Sequence, residues 1–250
     1  MNGAENSVAT LTVRDGMQQI KEINVPRRSI YWQNWNGWRS GEILKLLPGD
    51  LGYADLDRLT GKMVDEMFEM FKETKAIIFD MRGYPNGTAW TIAPRLTSKS
   101  GVIGAMFQCP LVLRPQGWSN HIMGQPTIDT YLQPIPQTDK WRYNGQTVML
   151  IDERTVSQAE HTGLFFRAAN GTQFIGSHTT GANGDITNFY VPGEILINFT
   201  GQAVRHADGQ PLQRIGLVPD IEVKPTIAGI RAGKDEVLEK ALEFLSAQER

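Results

Sequence analysis

Short apolar segments that alternate with helix-forming segments are the feature that most constrains the fold. Residues 76–79 (AIIF) and 147–151 (TVMLI) have the length of buried strands, and each ends at an aspartate and a polar, turn-rich loop. A helix is predicted after each loop. Strands that alternate with helices predict an α/β fold, with a mainly parallel sheet that is covered by helices on both faces. Ligands bind beyond the carboxyl ends of the strands in such sheets, so we expect the functional site in these loops.

The second of these loops leads directly into a helix that begins at Ser157, within TVSQAEHTG (residues 155–163). A serine at this position is commonly a cap for the first free backbone amides of a helix. A strand-to-helix turn also lifts a serine side chain above the edge of the sheet, where it can act as a nucleophile. The residues of this segment alone are compatible with either role.

Two backbone donors for an oxyanion are predicted from the same loops. DMRGYPNGT (residues 80–88) and DERTVSQAE (residues 152–160) each follow an apolar strand and should open onto one crevice. A serine that attacks a carbonyl needs donors about 3 Å from the oxygen that becomes charged. The amides near Gly87 and the N–H of Ser157 are the candidates. The alternative is that the glycines and proline of the first loop only form a turn.

Composition excludes several classes of function. The chain has 250 residues and a net charge of −2, without a basic block, so nothing indicates nucleic-acid binding. The single cysteine, Cys109, excludes an internal disulfide and a multi-cysteine zinc site. The four histidines lack metal-ligand spacing, and neither a metal nor another cofactor is predicted. No apolar run reaches the roughly 18–20 residues needed to span a membrane.

The amino-terminal region is predicted to be separate from the α/β core. SVATLTV and QQIKEINV flank Asp15-Gly16 and predict a β-hairpin. Because an isolated hairpin is marginally stable, we expect it to dock on the core or to pair with another chain in a homo-oligomer. We place the hairpin at residues 1–26, an aromatic linker with Trp32, Trp35 and Trp38 at 27–48, and the core at 49–250. A long polar segment, about residues 114–143, is expected to form a lid or a substrate wall.

Three motifs of the core resemble those of the carboxyl-terminal processing (tail-specific) peptidases. DMRGYPNGT resembles their D-x-R-x-N-x-G-G loop, VSQAE their S-x-x-E element, and GLVPDIEV (residues 216–223) their G-[IV]-x-P-D-[IV]-x-[IV] strand. Their order and spacing agree over about residues 49–245. The resemblance implies a ClpP/crotonase-like core with a carboxyl-terminal β-rich region, Ser157 as nucleophile and a peptide substrate. It also implies that residues 1–26 are the remnant of a preceding PDZ domain, and that the location is periplasmic or secreted.

The sequence departs from this family at the general base. Many members carry a lysine 25 residues after the serine, and that position here is Ala182. A tricorn-like branch uses an upstream histidine and a glutamate, whose position falls near Gln213. We therefore expect a local histidine as base: His206, oriented by Asp208, ranks first, and His178 second. His161 is expected to be a buried hydrogen-bonding group, His121 to be solvated, and Glu160 to brace the start of the helix.

Three functions remain open at this point. The first is a serine peptidase of the tail-specific type, and the second is an esterase on the same fold. The third is a non-catalytic binding protein, because the fold of the family also occurs in a retinoid carrier. Ala182 favours the third function, whereas the intact VSQAE and DMRGYPNGT loops favour an enzyme.

Overall fold

The computed structural model describes residues 3–27, 39–111 and 127–247. Two compact units share the chain: Met1–Glu42 with Pro225–Glu236, and Ile43–Lys224 with Val237–Arg250. The predicted division at residues 26 and 48, and the PDZ origin of the first segment, stay predictions. Trp32, Trp35, Trp38 and His121 lie outside the described residues.

The first unit contains the predicted hairpin, formed by β1 (Val8–Arg14) and β2 (Ile20–Pro26) in antiparallel register. Its loop spans residues 15–19, longer than the Asp-Gly pair alone, because Asp15 Oδ1 accepts the amides of Met17 at 2.8 Å and Gln19 at 3.1 Å. A short helix of the same unit, α4 (Ile227–Arg231), packs against the loop. A Cβ on Gly16 would lie 2.4 Å from a methyl carbon of Ile227, so this contact requires glycine.

The main sheet of the second unit has six strands in the order β12–β9–β8–β5–β4–β3. Only the β3–β4 pair is antiparallel, and the other four pairs are parallel, as the alternating sequence pattern predicts. The strands are β3 (Leu44–Leu47), β4 (Leu51–Asp55), β5 (Ala76–Asp80), β8 (Gln146–Ile151), β9 (Gln173–Gly176) and β12 (Ile221–Glu222).

Apolar side chains on both faces of this sheet are covered, which confirms the prediction of helices on two sides. On β5, Phe79 packs in one core cluster with residues of α3, whereas Ile78 packs in the other with residues of α5. This explains why the strand is apolar at consecutive positions rather than at alternate ones. The helices of this unit are α1 (Val64–Met70), α2 (Ala89–Ile92), α3 (Gln158–Asn170) and α5 (Glu236–Ala247).

A second, antiparallel sheet of four strands has the order β10–β11–β6–β7. It comprises β6 (Ile103–Leu111), β7 (Thr127–Pro134), β10 (Gly184–Val191) and β11 (Ile195–Arg205). Strand β6 lies close against α3, because a Cβ on Gly104 would be 2.6 Å from the ring of Phe165. Strand β7 falls in the long polar segment that was expected to form a lid or a wall, so the sequence pattern missed this strand.

Three loops meet at one edge of the main sheet, because β5, β8 and β9 are neighbouring parallel strands. Thr155, which is fully buried, ties these loops together. Its hydroxyl donates to the carbonyl of Met81 after β5 at 2.9 Å, and its own carbonyl accepts the amide of Thr180 after β9 at 3.1 Å. The loops after β5 and β8 therefore converge as predicted, and the loop after β9 joins them.

Candidate active site

Ser157 occupies the N-cap position of α3, at the end of the loop that follows β8. Its backbone angles are φ 55° and ψ −116°, a region that a residue with a side chain rarely adopts. Strain of this kind costs on the order of 1–3 kcal/mol and persists only where the surrounding structure enforces it. The serine is half-buried and lines a pocket, so it stands at the amino end of a helix and at a crevice.

The buried carboxylate of Glu160 holds the serine turn in place. Its Oε2 accepts the amide of Ser157 at 3.1 Å and that of Ala182 at 3.0 Å. Its Oε1 accepts the amide of Gly181 at 2.7 Å and the hydroxyl of Thr179 at 2.5 Å. Four donors from two loops therefore converge on one side chain, which is the bracing role expected for Glu160. Ala182, at the position of the family's lysine, contributes its backbone amide to this network.

The Ser157 amide is not free for the oxyanion role that was predicted for it, because it donates to Glu160. The next amide, that of Gln158, belongs to the first turn of α3, where N–H groups have no partner within the helix. Gly87, the other predicted contributor, has φ 71° and lies beside this turn. A Cβ on Gly87 would be 3.8 Å from Nε2 of Gln158.

The loop that carries Gly87 is fixed by an aspartate from another segment. Asp57, which is buried, accepts the amide of Tyr84 at 2.7 Å through Oδ1. Its backbone carbonyl accepts the side-chain amide of Asn86 at 3.0 Å. At the start of the loop, the guanidinium of Arg82 binds the buried carboxylate of Asp80 at 2.6 Å. The polar residues of DMRGYPNGT thus shape the loop beside Ser157.

A pocket of about 410 Å³ opens at Ser157, within the usual size range of ligand sites. Its walls combine the serine turn with strands β6, β7, β10 and β11 of the antiparallel sheet. The polar segment was expected to form a lid or a substrate wall, and its strand β7 forms part of the pocket wall. Among the described residues, those that line the pocket are Tyr84, Trp90, Phe107, Tyr131, Gln133, Ser157, Gln158, His161, Asn183, Gly184, Asp185 and Val204.

Of the described histidines, His161, one helical turn after Ser157, is the one that lines this pocket. Its Nε2 lies 2.7 Å from Oε1 of Gln133, and its Nδ1 lies 3.4 Å from the side-chain nitrogen of Asn183. Burial lowers the pKa of His161 to about 4, and the charge of Asp185 opposes this effect only in part. His161 is therefore neutral at pH 7, with Nε2–H donating to Gln133. This agrees with the buried hydrogen-bonding role expected from the sequence.

The two histidines ranked as bases do not line the pocket. His178 is exposed on the loop after β9. His206 lies in the turn after β11, and its pKa is lowered by burial and by the charge of Arg167, while Asp208 raises it. Val204, two residues before His206 in the chain, lines the pocket, whereas His206 itself does not.

Gln213, at the expected glutamate position, lies in a segment that packs against the loop after β9. The amide of the next residue, Arg214, donates to the carbonyl of Gly181 at 2.7 Å. The side-chain oxygen of Gln213 is buried and accepts no hydrogen bond from the described residues. Asp208, the proposed partner of His206, is exposed and accepts the amide of Gln210 at 3.0 Å.

Sequence reasoning missed three polar residues of the pocket: Gln133, Asn183 and Asp185. Asn183 and Asp185 lie in GANGD, a glycine-rich segment after a strand, and this pattern indicates a functional loop. Gln133 comes from β7, which the sequence did not predict. The aromatic residues of the pocket carried no distinguishing signal, because aromatic residues are equally common in cores.

Comparison with known proteins identifies the family. The sequence profile of peptidase family S41 matches residues 50–223. The chain belongs to peptidase family S41. This confirms the resemblance that the three motifs indicate, and the match covers the serine turn, the loop after β5 and the loop after β9. A comparison with curated protein sequences found no match.

Solved structures share the fold at low sequence identity. A candidate peptidase from Parabacteroides merdae is 20% identical with a TM-score of 0.65, over 85% of this chain and 68% of that one. Mature CPAF in complex with lactacystin is 16% identical with a TM-score of 0.70, over 98% and 68%. The photosystem II D1 C-terminal processing protease is 16% identical with a TM-score of 0.54, over 89% and 57%. These similarities confirm the predicted fold class.

No helix in the described part of the chain is both long and apolar enough to cross a bilayer. Among the same residues, no three His, Cys, Asp or Glu side chains come together in a way that could hold a metal ion.

Proposed function

We propose that this chain is the catalytic core of a serine peptidase of the tail-specific type, with Ser157 as nucleophile. The observation that carries the proposal is the strained backbone of Ser157 at the N-cap of α3, held by Glu160 and facing a pocket. A plain helix cap does not require positive φ, whereas a serine presented to a substrate commonly does. Membership of peptidase family S41 supports a protein or peptide as substrate.

The proposed reaction is acyl transfer. Oγ of Ser157 bonds to the carbonyl carbon, and its proton passes to a base and then to the leaving amine as the C–N bond breaks. Water then attacks the ester, and the acyl group leaves as a carboxylic acid while Oγ regains a proton. We assign the oxyanion donors to the backbone amides of Gln158 and Gly87, since the amide of Ser157 already binds Glu160.

The pocket geometry favours His161 as the proton acceptor over His206 and His178. Of the three histidines, His161 lines the pocket with Ser157, and its Nδ1 has only a long contact of 3.4 Å to Asn183. A base with a pKa of about 4 drives proton transfer weakly at neutral pH. We therefore expect slow turnover.

Labelling with an alkyl fluorophosphonate tests this proposal. We expect stoichiometric modification of the folded protein, located at Ser157 by peptide mass spectrometry and absent in Ser157→Ala. Ser100→Ala, which changes an exposed serine, is the matched control and should label normally. Hydrolysis of peptide amides as well as activated esters would separate a peptidase from an esterase.

A non-catalytic ligand carrier is the second candidate, and Ala182 favours it. The aromatic lining of the pocket also suits a bound apolar molecule. Absence of labelling in folded protein, together with binding of an apolar dye that a bulky substitution in the pocket abolishes, would establish the carrier. For location, the family resemblance supports a periplasmic or secreted protein, which fractionation of the source cells would test.

A further inference from the structure

The pocket at Ser157 carries one formal charge among its described lining residues, and that charge is negative. Asp185 lies at the start of β10, is exposed, and accepts a hydrogen bond from the side-chain amide of Gln202. The other polar side chains of the lining are amides, hydroxyls and the neutral imidazole of His161. The charge of Asp185 acts on two walls of the pocket: burial raises the pKa of Tyr131 and Asp185 raises it further, while burial lowers the pKa of His161 and Asp185 opposes this in part.

A β-bulge lies beside Asp185 and affects the direction of its side chain. The β10–β11 register shifts between Asp185 and Ile186, so that Gly201 is an extra residue on β11. Bulges of this kind redirect neighbouring side chains and are common beside active sites. A Cβ on Gly201 would lie 1.8 Å from Oγ1 of Thr187, and one on Gly184 would lie 2.6 Å from the carbonyl oxygen of Gln202. The irregularity therefore depends on glycine at both positions.

Aromatic faces at the rim complete the site. Tyr84, Trp90 and Tyr131 line the pocket with 44%, 37% and 46% of their surface exposed. Tyr131 stacks in parallel on Phe107, with ring centroids 4.6 Å apart, which fixes the plane of its ring. Aromatic faces attract cations, and the guanidinium group both stacks on rings and binds carboxylates through two parallel hydrogen bonds.

Two arginines that lie close to pocket residues in the sequence bind groups other than Asp185. Arg82 pairs with Asp80, and Arg205 binds Oε1 of Gln108 at 2.6 Å and the carbonyl of Gly209 at 3.1 Å. No ion pair of Asp185 occurs within the described ranges. The carboxylate is thus available to a charge that the substrate supplies.

We propose that Asp185, together with the aromatic rings of Tyr84, Trp90 and Tyr131, selects substrates with a cationic side chain, arginine before lysine, at the residue whose carbonyl Ser157 attacks. This inference rests on the proposed function, since it assigns a substrate class to the same serine. Neutral amides elsewhere in the lining add hydrogen-bond acceptors for a guanidinium without adding a competing charge.

The test is a series of peptidyl aminophosphonate diphenyl esters that differ only in the side chain next to phosphorus: arginine-like, lysine-like, norleucine and glutamate-like. We expect the arginine probe to inactivate the wild type about ten-fold faster than norleucine, equivalent to about 1.4 kcal/mol. The lysine probe should fall between them, and the glutamate probe should be slowest. The preference should decrease in 1 M salt, which screens exposed charges.

Variants assign the preference to the carboxylate. Asp185→Asn should lose the ten-fold advantage of arginine over norleucine, measured as the ratio of the two rates within the same variant, and Asp185→Glu should keep most of that advantage. Asp139→Asn, at an exposed site outside the pocket lining, is the control. Equal rates for all probes on the wild type, or an unchanged preference in Asp185→Asn, would overturn the inference. The alkyl fluorophosphonate carries no amino-acid side chain, so labelling with it tests the nucleophile Ser157 independently of substrate preference. Absence of that labelling would overturn both the proposed function and this inference.

Discussion

Glu160→Gln is the substitution that most directly tests how the serine turn is held. The change keeps the size of the side chain but replaces one of two acceptor oxygens by an NH₂ group. If that group replaces Oε2, the amides of Ser157 and Ala182 lose their acceptor; if it replaces Oε1, Gly181 and Thr179 do. Either orientation leaves two donors facing a donor: part-buried amides in the first case, and a buried amide and hydroxyl in the second.

The expected loss of stability follows from two unsatisfied donors that are buried or part-buried. Each costs about 1–3 kcal/mol, so the free energy of unfolding should fall by about 2–6 kcal/mol. This is a large share of the roughly 5–15 kcal/mol available to a folded protein. At about 2–4 °C per kcal/mol for a protein of this size, the midpoint of thermal unfolding should fall by roughly 4–24 °C. The rate of fluorophosphonate labelling should fall at least about ten-fold, because relief of the strain at Ser157 displaces Oγ.

Urea unfolding followed by tryptophan fluorescence and circular dichroism measures the first effect, and labelling under native conditions measures the second. Glu243→Gln is the matched control, since Glu243 is an exposed glutamate on α5 with one surface ion pair to Lys240. It should change stability by less than about 1 kcal/mol. The reasoning would be refuted if Glu160→Gln unfolded within about 0.5 kcal/mol of the wild type and reacted at the same rate.

Three other predictions concern the histidines and the amino-terminal hairpin. Burial lowers the pKa of His161 from 6.5 to about 4, so between these pH values the unfolded chain binds a proton that the folded chain does not. The free energy of unfolding should therefore fall by about 3 kcal/mol as the pH drops from 6.5 to 4. Urea titrations at several pH values should show a shallower pH dependence in His161→Gln. Turnover of an activated ester should fall by at least about 10²-fold in His161→Gln but by less than about three-fold in His206→Ala and His178→Ala. The reverse ranking would assign the base to one of the histidines predicted from the sequence. Light scattering with and without residues 1–25 tests the predicted homo-oligomer, and a monomer in both cases would remove that idea.

The sequence was sufficient for the central strands of the main sheet and for the serine turn because both depend on local patterns, whereas β3 lies in the segment predicted to be a linker. Apolar runs of strand length gave β5 and β8, and the serine after a strand gave the start of α3. The motif order gave the family, since three short matches at consistent spacing are more specific than any one of them. These features need no knowledge of distant contacts.

The walls of the pocket could not be predicted in the same way, because they come from long-range pairing. Strand β7 lies in a segment rich in polar residues and proline, and its pairing with β6 decides its structure. The positions of His206 and His161 illustrate the same limit. His206 was ranked on its sequence neighbourhood and does not line the pocket, whereas His161 reaches the pocket through the pitch of one helix.

The Thr155 and Glu160 contacts, which join the loops after β5, β8 and β9, have a consequence for how such a protein can change. A substitution in any one of these loops disturbs the other two, so the conformation of Ser157 tolerates little variation in them. Asp185 and Tyr131 belong to the antiparallel sheet and take no part in these contacts. If the proposed function holds, new substrate preferences can arise by exchange of residues on β7 and β10 while Ser157 keeps its position.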